Sequence, residues 1–549
     1  MNTLYYGDNL DILRRYIKDG AVDLVYLDPP FNSNQNYNVL FKEQDGSKAA
    51  SQIRAFDDTW TWDQEDEAVY AEIVTGGGRV ADCLEAFRKF LGPCNMLSYI
   101  VMMAPRLIEL RRVMKETASI YLHCDPSASH YLKMLMDAVF GPENFKNEII
   151  WQRTNAHNDA GQFGRIHDVI LFYARSSKYI WNKVTTEYSP EQLKRYKTDE
   201  SGRLYTAQDL TASRPNSDSG KFNWRGTMPS ESRGWGYTLE QLEAWWTDGL
   251  ILKKKDGTPR MDGLKKYFDE MPGKSLQSIW IDISRIGNTS PERLGYPTQK
   301  PLALLERIIN ASSNEGGIVL DPFCGCGTAV VAAQKLKRQW IGIDITHLAI
   351  TLMKERLKDT FGLSVVTGTA QAGAAAQFQV MGEPVSVPDA AALAASDPYQ
   401  FQWWSLGLVG ARPIEQKKGA DKGIDGKIVF QSGEQGKFET VLLSVKAGGT
   451  SVAHVRDLRG TIEREKAALG VLITMQEPTA PMRTEAVTAG FYESAAWNTR
   501  HPKLQLLTVA ELLAGARIDM PPLRQVNATF KKAKKEPAAS RATEGELGL

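Results

Sequence analysis

The chain has 549 residues, enough for three or four domains that each bury a core of their own. Its 66 basic and 65 acidic residues nearly cancel, which excludes a global field built for a polyanion and confines any nucleic-acid surface to local patches. Five cysteines without framework spacing exclude a disulfide scaffold, no apolar run reaches the length of a membrane span, and the start Met1-Asn2-Thr3 carries no secretory signal, so a cytoplasmic protein with reduced thiols and no membrane partner is expected.

From Leu4 to Phe172 short apolar runs alternate with amphipathic stretches, the pattern of an α/β domain. Strands are predicted over 22–27, 119–122, 148–151 and 169–173, and helices over 102–114 and 129–140. Between about Ser176 and Ser290 the periodicity gives way to a region rich in Trp, Arg and Gly, read as an inserted subdomain facing the substrate. The regular pattern returns with a helix over 302–311, a strand over 318–320, a glycine loop, a helix over 329–336 and a strand over 340–343. An Ala/Gly/Gln-rich stretch from Gly368 to Gln377 reads as a linker. A second domain begins near Ser396, with helices over 399–409 and 455–469 and strands over 426–430, 440–445 and 470–474. The tail, with Lys531-Lys532-Ala533-Lys534-Lys535, has no apolar periodicity and reads as disordered.

Two stretches carry chemistry. Asp28-Pro29-Pro30-Phe31 follows the first long strand, and in open α/β sheets ligands gather beyond the carboxyl ends of strands. Two prolines remove two backbone donors and leave their carbonyls free to accept, while Phe31 offers an aromatic face. That set of groups suits methylation of an amine. Asp321-Pro322-Phe323-Cys324-Gly325-Cys326-Gly327-Thr328 runs from a strand through a glycine loop into a helix, where backbone can approach a ligand closely. The third glycine of a dinucleotide fingerprint is missing, and Asp344 ends the next strand at the spacing of a ribose-binding carboxylate, so an adenosine-bearing ligand without a pyrophosphate is expected.

The ordered set Asp28-Pro29-Pro30-Phe31, Gly295-Tyr296-Pro297-Thr298-Gln299-Lys300-Pro301 and Asp321 to Thr328 resembles the permuted, beta-class amino-group DNA methyltransferases, in which the catalytic motif precedes the S-adenosylmethionine loop. Gly7-Asp8-Asn9, Ile120-Tyr121-Leu122-His123, Phe140-Gly141, Asn144-Phe145 and His167-Asp168 fit the same pattern. The resemblance implies a doubly wound Rossmann-like sheet, with a catalytic half in residues 1–175, a target-recognition insert in 176–290, a cofactor half in 291–365 and a linker in 366–395. It implies double-stranded DNA as partner and leaves a homodimer open. Asp28 and the Pro29 carbonyl would accept the amine protons of a flipped-out base, localising a lone pair otherwise delocalised into the ring, and Phe31 would stack on the base. Asp8 would read the adenine amine of the cofactor, Asp344 its ribose, and Lys300 with the loop from Phe323 to Thr328 its amino-acid end. Asp rather than Ser at position 28 favours adenine over the cytosine N4 amine, with RNA or protein amines as remoter acceptors.

Pro93-Cys94 is similar to the nucleophile dipeptide of carbon-5 cytosine methyltransferases, but a thiolate mechanism leaves the Asp-Pro-Pro-Phe motif unexplained. Cys324 and Cys326 lack zinc spacing and read as small loop residues, and His123 and His167 read first as packing residues. In the insert, Trp181, Trp224, Trp235, Trp245, Trp246 and Trp280 interleave with Arg203, Arg214, Arg225, Arg233 and Lys253-Lys254-Lys255, a mixture that suits DNA grooves and displaced bases but equally a small core. Residues 396–518 resemble an Mrr-type restriction-endonuclease domain of α/β class, with Asp425 and Ser444-Val445-Lys446 at the nuclease-site positions. Ser444 replaces the usual acid or amide, and a hydroxyl is a poor ligand for a hard cation. Cleavage is therefore doubtful, and Mg2+ at Asp425 is expected only if the domain cuts, with Glu415 and Asp421 as nearby carboxylates able to compensate.

Overall fold

Every residue of the strand Val22–Leu27 is buried, as required of a strand covered on both faces. The computed structural model describes residues 2–30 and 62–521, apart from 156–160, 162, 187, 189–192, 214–217, 219, 272, 288, 295, 297, 367–376, 415–422, 432–437 and 495–497. Phe31, Arg214, Gly295, Pro297, Glu415, Asp421, residues 367–376 of the expected linker and the lysine-rich tail thus lie outside the described residues.

Among the described residues ten strands form one sheet: β1 (Thr3–Tyr6), β2 (Val22–Leu27), β3 (Met114–Cys124), β4 (Phe145–Gln152), β5 (His167–Ala174), β6 (Ile279–Trp280), β7 (Ile318–Asp321), β8 (Gln339–Asp344), β9 (Ser364–Val365) and β10 (Gln377–Met381). Their spatial order is β6-β4-β5-β3-β2-β7-β8-β1-β10-β9, and β5 alone runs against both of its neighbours. Alternate side chains of each strand enter two separate cores. Tyr5, Val25, Leu27, Ile120 and Leu122 meet helices α1 (Asn9–Tyr16), α2 (Gln64–Gly76), α3 (Arg79–Leu91), α4 (Asn95–Val113) and α5 (Ser129–Phe140). Leu4, Leu24, Tyr26, Tyr121 and Val319 meet α6 (Leu302–Ser312), α7 (Thr328–Lys335) and α8 (His347–Phe361) on the other face. The doubly wound expectation holds, with strands and helices within a few residues of their predicted bounds apart from an earlier start to α4 and to β3.

Two boundaries differ from the expectation. The insert is a compact unit of its own over Lys183–Gln277, shorter than 176–290, because β6 pairs with β4 through Ile279 opposite Ile150 and Trp280 opposite Trp151, and Trp151 Nε1 donates to the Ile283 carbonyl at 2.8 Å. The stretch read as a linker contains β10, which pairs with β1 from Thr3 opposite Gln379 to Tyr5 opposite Met381. So short a segment carries no long apolar run, so composition hid it.

Within the insert, Trp224 and Trp235 are 2% and 1% exposed and form a core with Leu210, Leu242, Ile251 and Leu264. Its arginines answer its own acids: Arg203 pairs with Asp269 and Glu270, Arg225 with Glu243, and Arg233 with Asp209. These tryptophans therefore serve packing, and of the six only Trp181, outside this unit, is more than half exposed.

The C-terminal region has a sheet of β11 (Arg412–Pro413), β12 (Gly426–Gln431), β13 (Phe438–Lys446), β14 (Leu469–Thr474) and β15 (Leu504–Thr508), in that order, antiparallel up to β13 and parallel beyond. Val441, Leu443, Val471 and Ile473 face α9 (Val387–Ser396), α10 (Pro398–Leu408) and a final helix, Val509–Leu513; Leu442, Leu472 and Leu504 face Val452–Arg464 and Ala480–Val487. No helix among the described residues is long and apolar enough to cross a membrane.

Candidate active site

The two sequence motifs meet because β2 and β7 are parallel neighbours, Leu24 opposite Val319 and Val25 opposite Leu320. Asp28 and the glycine loop thus leave the same edge of the sheet side by side, although nearly three hundred residues separate them in sequence. The other flank of β2 is β3, Leu27 lying opposite Leu122.

Asp28 is half-buried and its Oδ2 is ion-paired with Lys300 Nζ, at side-chain exposures of 16% and 11%. Lys300 immediately precedes Pro301, the N-cap of α6, so the helix start presents the ammonium to the end of β2. Behind the pair, Tyr26 Oη and His123 Nδ1 lie 3.0 Å apart, and His123 Nε2 lies 3.1 Å from Asp168 Oδ2, all three side chains being buried. Burial pushes the Asp168 carboxyl up, but the His123 hydrogen bond and the nearby Lys300 and Arg153 outweigh it and hold the group below the usual carboxylate range. His123 is therefore a buried anchor behind the reacting edge, as its packing reading implied, and it spans β2, β3 and β5.

The loop between β7 and α7 is built from backbone conformations that side chains resist. Gly325 has φ +50° and Gly327 φ +75°, and a Cβ on Gly327 would stand 2.6 Å from Met353 Cγ. No side chain caps the first turn of α7, so its backbone N–H groups face the loop mouth, a place that favours a carboxylate. Asn9 Nδ2 donates to the Pro322 carbonyl at 2.9 Å, and Arg356 Nη1 donates to the Cys326 carbonyl at 3.0 Å, so α1 and α8 both grip the loop. A glycine cradle at a strand end, with an uncapped helix start, fits the amino-acid end of S-adenosylmethionine. Cys324 and Cys326 are buried in this turn, and burial pushes both thiols up, which suits packing and opposes nucleophilic or metal roles. Cys94 precedes α4 as its N-cap residue, as expected of a residue leading into a helix.

Three carboxylates among the candidate site residues are held by the protein's own groups. Asp8 caps α1, accepting from Leu10 N at 2.9 Å, and its Oδ2 pairs with the buried Arg106 at 2.8 Å; Arg106 in turn donates to Asn9 Oδ1 at 2.7 Å. Asp8 thus fastens α1 to α4. Asp321 is buried, and burial, with the nearby charges of Asp28 and Asp344, pushes its carboxyl well above the usual range while Phe323 N donates to it at 3.1 Å. Asp344 is wholly enclosed: Oδ2 accepts from Gly325 N at 2.9 Å, and Oδ1 from Thr346 N at 2.8 Å and Thr346 Oγ1 at 2.9 Å. Its carboxylate braces the glycine loop from the end of β8. Asn9, Arg106, Thr346 and Arg356 were missed as supports; a lone Arg within the buried apolar run Ile100 to Leu107 was the available signal for Arg106.

Burial pushes the Asp344 carboxyl up to about 6, against the hydrogen bonds from Thr346 and Gly325 that pull it down. A folded-state value above the ordinary 3.8 means that the native state holds this proton more tightly than the unfolded chain. The associated stability is therefore complete below the unfolded value and is lost as pH rises through the folded one, about 3 kcal/mol in all. Relative to Asp344→Asn, which cannot titrate, wild type is expected to lose stability between about pH 4 and pH 6 and to level off above. Denaturant unfolding of both proteins across that range checks this; parallel profiles would refute it.

At the C-terminal nuclease position, Asp425 Oδ2 accepts from Ser444 Oγ at 3.1 Å and from Val445 N at 2.7 Å, while the half-buried Lys446 ends β13. The expected Mg2+ at Asp425 is not supported. The hydroxyl at position 444 donates to the carboxylate that an acid there would have joined in holding a cation, and no cluster of three or more His, Cys, Asp or Glu side chains among the described residues is placed to bind metal.

Residues 399–514 match the family described as NACHT-associated inactive Restriction Endonuclease 1, in agreement with this geometry, so the domain is an inactive endonuclease-like one and an Mrr type is not established. The type II methyltransferase M.EcaI of Enterobacter cloacae is 30% identical over 358 residues, covering 64% of this chain and 69% of its own length. The StyLTI Mod subunit, from a type III restriction-modification enzyme of Salmonella typhimurium, is 25% identical and covers 62% of this chain, which spans half of that relative. The crystal structure of M1.HpyAVI with SAM aligns with 65% of this chain and 99% of its own at 16% identity and a TM-score of 0.30. Residues 22–355 match the N6/N4 family of DNA methylases, and with the two motifs joined on adjacent strands the chain belongs to that family.

Proposed function

We propose that this protein transfers a methyl group from S-adenosylmethionine to the N6 amine of adenine at a specific DNA sequence, as the modification enzyme of a restriction-modification system. The observation that carries the reading is the parallel pairing of β2 with β7, which sets Asp28 beside the glycine loop. Relatives named as type II methyltransferases and type III Mod subunits support the system, and Asp at position 28 supports adenine.

S-adenosylmethionine supplies an electrophilic sulfonium methyl group. The protein's work is alignment and proton handling. The α7 N-terminus and the Phe323 to Thr328 loop hold the cofactor's amino-acid end, and Lys300 is ion-paired with Asp28. The base must leave the duplex, since its amine is unreachable in the stack. Asp28 and the Pro29 carbonyl then accept the two amine hydrogens, which turns the nitrogen lone pair out of the ring and towards the methyl group. Asp28 takes the proton released by the transfer. Phe31, two residues beyond the buried Pro29, stacks on the base. The inactive C-terminal domain leaves cleavage to another chain.

The test is incubation of the purified protein with isotope-labelled S-adenosylmethionine and either DNA or RNA, followed by digestion and mass spectrometry of the nucleosides. N6-methyladenine from DNA is expected. N4-methylcytosine would overturn the base, label in RNA alone the polymer, and no label the activity.

A further inference from the structure

Helix α8 starts three residues after Asp344 and is held from the far side by the C-terminal domain. A helix leaves its first backbone N–H groups without partners inside itself. In α8 the cap Thr346 accepts from Ala349 N at 3.2 Å, and His347 N donates instead to Gln400 Oε1 at 3.2 Å, across a sequence separation of 53 residues. Gln400 is 4% exposed and lies in the first turn of α10, where Asp397 Oδ1 accepts from its backbone N at 3.0 Å and fixes its position. The His347 ring stacks on Tyr6 at the end of β1 with centroids 3.7 Å apart, and Leu348 packs into the C-terminal core. One turn further on, Gly407 of α10 faces Thr351 of α8 so closely that a Cβ on the glycine would stand 2.7 Å from Thr351 Oγ1. A continuous set of hydrogen bonds and adjoining residues therefore runs from Gly325 N through Asp344 and Thr346 to His347 N and Gln400.

We infer that the inactive endonuclease-like domain forms part of the methyl-donor site, with Gln400 as a positioning residue that holds the start of α8 and, through Thr346 and Asp344, the glycine loop. The inference rests on the reading of that loop as the S-adenosylmethionine cradle. An acceptor from a separate domain at this one donor makes loop order depend on domain docking. By reciprocity, whatever binds the cradle also tightens the docking of the C-terminal domain.

Three full-length variants test it: Gln400→Met, which keeps length and removes the acceptor; Gly407→Ala, which presses α10 away from α8; and Gly407→Ala with Thr351→Ala, which removes the atom that Gly407→Ala strikes. Amide hydrogen exchange of the 322–328 segment is measured without ligand, along with the Kd for S-adenosylmethionine, kcat and KM. Gln400→Met and Gly407→Ala are expected to exchange faster in that segment and to weaken binding about fivefold, with kcat at saturation within about twofold of wild type, while the double variant returns to within about twofold of the wild-type Kd. Unchanged exchange in Gln400→Met, or no recovery in the double variant, overturns the inference. If wild type binds no S-adenosylmethionine, the cofactor reading fails, and the exchange measurement still decides whether Gln400 orders the loop.

Discussion

Asp28→Asn is expected to lower the single-turnover rate of methyl transfer about a thousandfold, or about 4 kcal/mol of barrier, while leaving the Kd for S-adenosylmethionine within about threefold. The amide keeps the shape of the carboxylate and one accepting oxygen, but it cannot take the proton that the amine must lose. Its NH2 also points a donor where an acceptor is needed. The change leaves Lys300 without its Asp28 partner but close enough to Asp168 and Asp321 to act on both charges, so the ammonium does not become an isolated buried charge. Cofactor affinity is spared because the cradle is gripped from α1 and α8, away from β2. Rapid-quench measurement on a cognate oligonucleotide together with equilibrium binding gives both numbers. A variant that keeps more than about a tenth of the wild-type rate would remove Asp28 from the chemistry.

Gly327→Ala is expected to cost about 2–4 kcal/mol of stability and to abolish measurable cofactor binding. Two effects add. The left-handed conformation at φ +75° penalises any side chain, and the new Cβ falls 2.6 Å from Cγ of Met353, itself only 1% exposed and unable to swing aside. Relief by displacement would drag the start of α7 out of line and with it the N–H groups that face the cradle. Adding Met353→Ala should recover the steric part and leave the backbone part. Thermal unfolding and equilibrium dialysis separate the two; a single variant with wild-type melting and affinity would show that the loop tolerates ordinary backbone and is no cradle.

Much of this was readable from local pattern. The buried run of β2, the bounds of α5 and β12, and the glycine loop are short-range features in which periodicity, turn chemistry and helix starts agree. The inactive state of the C-terminal site was half legible, since Ser444 was visibly the wrong ligand; that its hydroxyl occupies the Asp425 carboxylate needed coordinates. Other features left no mark. β10 was hidden because a five-residue strand after an Ala/Gly/Gln stretch has too little pattern to separate from a linker. The tryptophans of the insert left both roles open because an aromatic beside an arginine looks alike whether it meets a base or its own core, and burial alone distinguishes them.

The order of the motifs, the chemistry of an acid followed by two prolines, and the division into a methylase part and an endonuclease-like part follow from the chain's own letters, because each depends on residues close together in sequence. The pairing of β2 with β7, the Lys300 to Asp28 ion pair, the bracing of the glycine loop by Asp344 and the grip of Gln400 on α8 depend on the fold. Each joins groups brought together by sheet order and buried where water cannot compete. Such contacts are set by burial and by the neighbours a strand acquires, and neither quantity is written at a single position of the sequence.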